Sequence, residues 1–299
     1  MSLPLASLII ASRDRPDLLA DTVASILQGE EVPAEMVIVD QSHNSHPTIG
    51  KLQVSRGCQV RYLWVQTTGL SRGRNTAIAA ARYDILTVID DDMYVAPDWF
   101  SRLVQSLEKG GPRSVVTGQV LPYIPDGGMS FVPSIKIAEA PAIYHGRVEK
   151  NVLFTGNMAM YRAAVEAVGF FDERLGAGAV YPSAEDSDYG FRLLEKGFCI
   201  RYAPEAKVSH RAWRTEGDYL PLRWSYGLGR GAFYAKYFDL HDRSMQRRMF
   251  ADIYNHLLAF PFHLRQQRLI AYGDLTLAWG ILVGAARWLA RERKKSAAG

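Results

Sequence analysis

Four short apolar runs, at residues 7–11, 36–40, 60–65 and 85–90, constrain this chain more than any other feature. They are rich in Ile, Val and Leu, too short for helices, and read as strands buried on both faces. Residues 16–28 and 70–82 carry helical apolar spacing, the first with Pro16 near its opening turn. Strand–helix alternation confines the chain to an α/β fold, a mostly parallel sheet flanked by helices. Ligands of such sheets lie beyond the carboxyl ends of the strands. That rule singles out Ser12 and Arg13 after the first run, Asp40 after the second, and Asp90, Asp91 and Asp92 after the fourth.

Further along, residues 97–109 predict a helix closed by Gly110 and Gly111, and 114–120 a strand. Residues 123–141, with several Pro and Gly, read as an irregular loop. Strand 152–161, helix 162–168, helix 185–196 and strand 198–203 follow, and beyond about Thr215 the pattern is helical, aromatic and basic. The 299 residues suffice for one large α/β domain with an appendage. Cys58 and Cys199 support no disulfide framework, so a reducing, cytosolic environment is the simplest expectation. A net charge of +4 gives no reason to invoke nucleic acid. The apolar start, residues 3–11, lacks a basic flank and runs straight into Arg13, Asp14 and Arg15, so it reads as a first strand rather than a leader.

Adjacent carboxylates repel, and one of Asp90, Asp91 and Asp92 must move toward protonation unless a cation neutralises them. All-oxygen ligands at a buried strand end suit Mg²⁺ or Mn²⁺ bridging a diphosphate, and the alternative is a solvated acidic turn. Asp40 can only accept hydrogen bonds, which suits uracil, thymine or guanine but not neutral cytosine. Gly69-Leu-Ser-Arg-Gly-Arg-Asn75 opens a helix whose free N–H groups, with Arg72 and Arg74, can hold a diphosphate. Glu185 and Asp186 open another helix, where acids either cap the dipole or supply a general base. His210 can ligate a metal through a neutral ring nitrogen or serve structure alone.

Residues 5–215 together resemble the inverting family-2 glycosyltransferases with the GT-A fold. Leu8-Ile-Ile-Ala-Ser-Arg-Asp-Arg-Pro16 resembles their first strand and nucleotide loop, and Val37-Ile-Val-Asp40 their base-binding strand. Gly69 to Asn75 is similar to their Gly-to-Arg-Asn segment, and Asp90-Asp-Asp92 with Pro97 and Trp99 to their Asp-x-Asp motif. Thr155-Gly-Asn-Met-Ala-Met-Tyr-Arg162 resembles the acceptor-side strand, with Gly169-Phe-Phe-Asp-Glu173 after it. The resemblance implies a nucleoside-diphosphate sugar donor of the UDP, dTDP or GDP type, held by Ser12, Arg13, Arg15, Asp40, Arg72, Arg74, Asn75, Asp90 and Asp91. It implies metal ligation by Asp92 and His210, an acceptor side at Gly156, Asn157, Glu185 and Trp213, and Asp186 as base. It also implies residues 1–120 as donor half, 121–215 as acceptor half, and 216–299 as an added helical extension. Two departures, Asp40-Gln-Ser at the second strand and Ala11 in the first, leave the nucleotide open.

The extension combines Trp279 and Trp288 with Arg291, Arg293, Lys294 and Lys295. From about Leu269 onward it is expected to meet an anionic membrane surface on the cytoplasmic side, bringing the enzyme to a glycan or lipid-linked acceptor. The competing expectation is packing on the protein or in a homodimer, with Gly280 and Gly284 allowing close approach. Rival functions are a sugar nucleotidyltransferase, for which Ser12-Arg-Asp-Arg-Pro16 is a poor phosphate loop, and a binding protein without turnover.

Overall fold

The computed structural model describes residues 3–123, 131–239 and 242–298, with side chains up to Arg291. The chain forms two compact units, Met1–Phe171 with Tyr189–Trp213, and Asp172–Asp188 with Arg214–Gly299. In the first unit come β1 (Ala6–Ser12), α1 (Pro16–Leu27), β2 (Glu35–Asp40), β3 (Val54–Ser55), β4 (Cys58–Trp64), α2 (Leu70–Ala80) and β5 (Ile85–Asp90). They are followed by β6 (Met93–Val95), α3 (Trp99–Gly110), β7 (Ser114–Pro122), β8 (Ala142–Tyr144), β9 (Asn157–Tyr161) and α4 (Arg162–Val168). Helix α5 (Glu185–Glu195) starts in the second unit's short segment, and β10 (Cys199–His210) closes the first unit.

The strands make one sheet, ordered β3-β4-β2-β1-β5-β9-β7-β10-β6, with β8 on β10. The run β4-β2-β1-β5 is parallel, as is β7 with β10, while β9 lies antiparallel between β5 and β7. Alternate residues of the central strands face opposite layers. Leu8, Ile10, Met36 and Ile38 pack with Leu19, Val23 and Ile26 of α1 and Leu103 and Leu107 of α3. Ile9, Val37, Val39 and Val88 pack with Ala77 and Ile78 of α2, Val165 of α4 and Leu193 of α5. Each such aliphatic side chain contributes about 1.5–3 kcal/mol on burial, which is why the central runs are apolar at most positions, with Ser7, Glu35 and Thr87 the buried exceptions.

Two strands differ from the sequence expectation. The strand expected at 152–161 pairs only over Asn157–Tyr161, because the chain turns at Gly156 beside Asp90. The strand expected at 198–203 continues to His210, its register shifting between Ala203 and Lys207. Pro204 lies in that irregularity, where its missing N–H costs no ladder bond. Of the loop expected at 123–141, residues 124–130 lie outside the described residues.

The second unit holds α6 (Glu216–Lys236), α7 (Ser244–Gln266) and α8 (Arg268–Ala298). Gly227 of α6 meets Gly280 of α8 backbone to backbone, while Gly231 faces the Ile281 backbone and Gly284 the Leu228 backbone. A methyl group on Gly227 would stand 2.8 Å from the Gly280 Cα, and one on Gly231 would overlap the Ile281 carbonyl. The packing expected of Gly280 and Gly284 is thus within the chain. Trp288 is buried, 5.4 Å from the Tyr181 ring and under the Arg174 guanidinium at 4.1 Å. Arg268–Arg291 is long and apolar enough to cross a membrane, yet half of its most apolar stretch is buried. Arg293, Lys294 and Lys295 lie outside the described side chains.

The segment Asp172–Asp188 is fastened to these helices. Lys236 Nζ donates to Asp172 Oδ2 at 2.8 Å and Asp188 Oδ1 at 2.6 Å, and the Tyr237 hydroxyl donates to Asp188 at 2.7 Å. Burial works against charge on Asp172, but hydrogen bonds from Arg174 and Lys236 outweigh it and hold the carboxyl well below its usual range. Ser183 Oγ donates to the Ser225 and Tyr226 carbonyls at 3.1 and 3.3 Å.

Gly231→Leu should therefore cost about 2–3 kcal/mol through overpacking at the α6–α8 crossing. A thermal melt should show the midpoint lowered by roughly 5–10 °C. Gly217→Ala, whose methyl would meet nothing closer than Thr215 Oγ1 at 3.6 Å, should melt like the parent. Equal midpoints for all three proteins would contradict the crossing.

Candidate active site

Parallel register aligns the strand ends. Ser12 pairs with Asp40 across β1 and β2, and Ala11 with Asp90 across β1 and β5. The antiparallel pairing of β10 with β6 puts His210 opposite Met93, next in sequence to Asp92. Ser12 and His210, far apart in the chain, thus both lie at the carboxyl ends of their strands.

The three aspartates have different partners. Asp90 Oδ1 accepts from Arg74 Nη2 at 2.5 Å, and Arg74, itself buried, also donates to Thr155 Oγ1 at 2.7 Å. Asp91 accepts from Ser12 Oγ at 2.6 Å and from Arg15 Nη1 at 3.3 Å. The same Arg15 atom donates to Asp92 Oδ2 at 2.9 Å. Asp92 Oδ1 lies 3.4 Å from His210 Nε2, and His210 Nδ1 lies 3.1 Å from the Pro133 carbonyl. Burial, with repulsion from Asp92 and Asp90, pushes the Asp91 carboxyl upward despite Arg15 and Ser12. Burial opposes charge on His210, but the hydrogen bond and charge of Asp92, with Asp90 behind it, raise its pKa.

Gly156 leaves room for this cluster, since a Cβ there would overlap the Asp90 carboxylate. Asp40 is buried and its oxygens are engaged, one by the Tyr62 hydroxyl at 2.6 Å, the other by Ser42. Asn75 exchanges two hydrogen bonds with the Phe171 backbone, each 2.9 Å, and so clamps a loop. Asn157 is fully buried. It accepts from Trp99 Nε1 at 2.8 Å and donates to the Gln119 and Ala206 carbonyls, both at 3.0 Å. That is a structural role, away from the acceptor contact the sequence suggested for it. Arg13 is exposed and pairs with neighbouring Asp14 at 3.3 Å, and Arg72 is exposed on the first turn of α2.

Trp213 Nε1 donates to the Tyr123 carbonyl at 2.6 Å, and its ring sits 6.0 Å from the Tyr123 ring, which meets Tyr94 edge-on at 5.5 Å. Arg211 lies over Tyr94 at 3.9 Å and pairs with Asp21 at 2.7 Å. Glu185 and Asp186 belong to the second unit, half-buried on the first turn of α5. Ala184 before them has φ +73, a conformation few residues other than glycine adopt and one that recurs at functional sites.

Sequence reading missed Thr22, Thr155 and Arg211. The Thr22 hydroxyl donates to the Asp91 carbonyl at 2.8 Å and accepts from the Met93 N–H at 3.1 Å, bracing the turn that holds the aspartates. It stands on the inward stripe of α1, where a lone Thr looks like core.

Asp91 yields a test with a definite sign. Its pKa in the folded protein lies above the unfolded value near 3.8, so the folded state binds its proton more tightly. The resulting penalty is absent below the unfolded value, grows as pH rises, and is complete above the raised one. Asp91→Asn should then gain thermal stability over the parent in metal-free buffer, and the gain should be larger at pH 8 than at pH 5. A gain independent of pH would contradict this.

A family model described as glycosyl transferase family 2 matches residues 7–169. The glucosyl-dolichyl phosphate glucuronosyltransferase of Haloferax volcanii is 26% identical over 224 residues, covering 71% of each chain. The pre-mycofactocin glycosyltransferase of Mycobacterium tuberculosis is 26% identical over 199 residues, 64% of this chain but only 40% of that protein. Among solved structures, the mannosyltransferase PcManGT from Pyrobaculum calidifontis in complex with GDP-Man and Mn²⁺ matches with TM-score 0.59 at 16% identity. The match covers 100% of this chain and 77% of that one, and shows the shared fold. The chain therefore belongs to glycosyltransferase family 2, and is a glycosyltransferase with the GT-A fold.

Proposed function

We propose that this enzyme moves a sugar from a nucleoside diphosphate of the UDP, dTDP or GDP type to an acceptor hydroxyl, with inversion and with Mg²⁺ or Mn²⁺. The Asp92–His210 pair carries the reading. With Nδ1–H donating to the Pro133 carbonyl, His210 turns Nε2 toward Asp92 Oδ1 at 3.4 Å. In neutral imidazole that nitrogen is an acceptor, so two buried acceptors face each other and need a proton or a cation between them. Asp92 Oδ1 and His210 Nε2 would hold such an ion together, a carboxylate oxygen and a ring nitrogen both buried and 3.4 Å apart. A second ring nitrogen bonded to a carbonyl is also how ligating histidines are oriented. Among the described residues no group of three or more His, Cys, Asp or Glu could hold a metal ion. Diphosphate oxygens and water would complete the shell, as is usual for Mg²⁺.

The ion, when bound, supplies positive charge to the leaving diphosphate. The remaining work falls to side chains. Ser12 and Arg15 fix Asp91 and Asp92, Arg74 fixes Asp90 beside the donor ribose, and Arg72 offers exposed positive charge to the phosphates. Asp40 offers the base its Oδ2, which accepts only from Tyr62, while Ser42 holds Oδ1. Asp186 accepts the proton of the acceptor hydroxyl as its oxygen attacks the anomeric carbon from the face opposite the diphosphate. Glu185 and Trp213 flank the acceptor. Residues 1–120 form the donor half, 121–215 the acceptor half, and 216–299 the extension. The acceptor is a glycan or a lipid-linked sugar at the cytoplasmic face of a membrane, supported by the Haloferax relative, whose name specifies a dolichyl phosphate.

Asp186→Asn should lower transfer at least about a hundredfold while donor binding by calorimetry stays near normal. Near-normal transfer by the folded variant would remove Asp186 from the role. Asp92→Ala should weaken both Mn²⁺ and donor binding, and full activity in excess chelator would defeat the metal assignment. Since a proton and a metal compete for His210, half-saturating Mn²⁺ should rise as pH falls through the raised His210 pKa. A pH-independent value would argue against His210 as ligand.

A further inference from the structure

Helix α7 presents two unlike faces. Met245, Met249 and Ile253 are buried on the inner one. Three of its inner polar side chains are matched within the unit. Asp252, the one acidic residue of Ser244–Gln266, meets Arg230 at 3.2 Å and the Tyr234 hydroxyl at 2.9 Å. His256 and His263 each bring Nδ1 to a carboxylate oxygen of Asp274 on α8, at 2.8 and 2.6 Å.

The outer face carries Phe250, Tyr254, Leu257, Leu258, Phe262 and Leu264, each between 39% and 62% exposed. At 3.6 residues per turn these six fall within about 160° of arc, on a strip about 21 Å long. Arg247 and Arg265 are exposed near the midline of that strip, just before its start and just past Leu264, and no acidic side chain shares it. Scattered exposed apolar residues are ordinary, but a continuous strip of six is not.

We infer that the outer face of α7 docks onto an anionic lipid surface, with the helix lying in the plane of the interface. Its paired inner face bars α7 from spanning, while one apolar face with cations at its ends is the pattern of an interfacial helix. Tyr254 puts a polar tip on an apolar body, as residues at headgroup depth do. Arg247 and Arg265, with Arg243 and Arg268 beyond them, complement anionic headgroups rather than a second copy bearing the same charges. The site deepens the lipid-linked-acceptor reading and moves the contact from the region after Leu269, where α8 is half buried, to α7.

Vesicle binding involves no sugar transfer, so the docking and reaction readings fail separately. The full-length protein should sediment at low salt with phosphatidylcholine vesicles containing phosphatidylglycerol, and at least tenfold less with phosphatidylcholine alone. Leu258→Glu with Phe262→Glu should abolish sedimentation, and Arg247→Gln with Arg265→Gln should weaken it several-fold and flatten its salt dependence. These side chains are exposed, so circular dichroism melts should match the parent. On α8, Trp279→Glu should keep binding within about twofold. Undiminished binding by the Leu258/Phe262 variant, or none by the parent, overturns the inference. So does a dimer in light scattering that this double variant dissociates while the parent ignores vesicles, which would make the face a contact between copies. Loss of transfer with intact vesicle binding would count only against the reaction.

Discussion

Crowding of negative charge at the end of a buried strand governs the first unit. Three consecutive carboxylates, the last two buried, would repel strongly, and groups brought from elsewhere in the chain stand against them, Arg15 serving both Asp91 and Asp92. Arg74 arrives from α2, Ser12 and Arg15 from the β1–α1 turn, and His210 from the last strand. The sheet order follows from that need, because β1 beside β5 and β10 beside β6 bring those partners within reach. Gly156 has no side chain for the same reason.

The second unit depends on close backbone approach. Four glycines let α6 and α8 touch, and the resulting pair holds Trp288 against Tyr181 and Arg174. Lys236 then neutralises both Asp172, which opens the irregular stretch before α5, and Asp188 on the first turn of that helix. The C-terminal helices are thus more than an appendage. They order the segment that leads into Glu185 and Asp186, linking the part read as an anchor to the part read as acceptor-side chemistry.

Much of this was legible without coordinates. Apolar runs ending in Ser12, Asp40 and Asp90 announced the strand ends, because a strand buried on both faces favours aliphatic side chains at nearly every position. Helical spacing and the positions of Pro16, Gly110 and Gly111 marked the helices nearly as well. Legibility failed where one residue type serves two purposes. Asn75 and Asn157 stand in recognisable segments, yet their amides satisfy backbone groups that burial would otherwise leave unpaired.

The α/β alternation, the acidic strand end and the resemblance that led to the family rest on local periodicity and on residues adjacent in the chain, so all three are readable from the residues in order. Tertiary structure alone decided the rest. That His210 meets Asp92 follows from an antiparallel register and from a bulge at Pro204 that no local pattern reveals. That Gly280 and Gly284 face α6, and that α7 instead turns its apolar side outward, depends on which helix faces which. An apolar helical face in sequence can equally be packed against a neighbour or left exposed, because its composition is the same in either case. The partner distinguishes them, and the chain supplies that partner from positions far away.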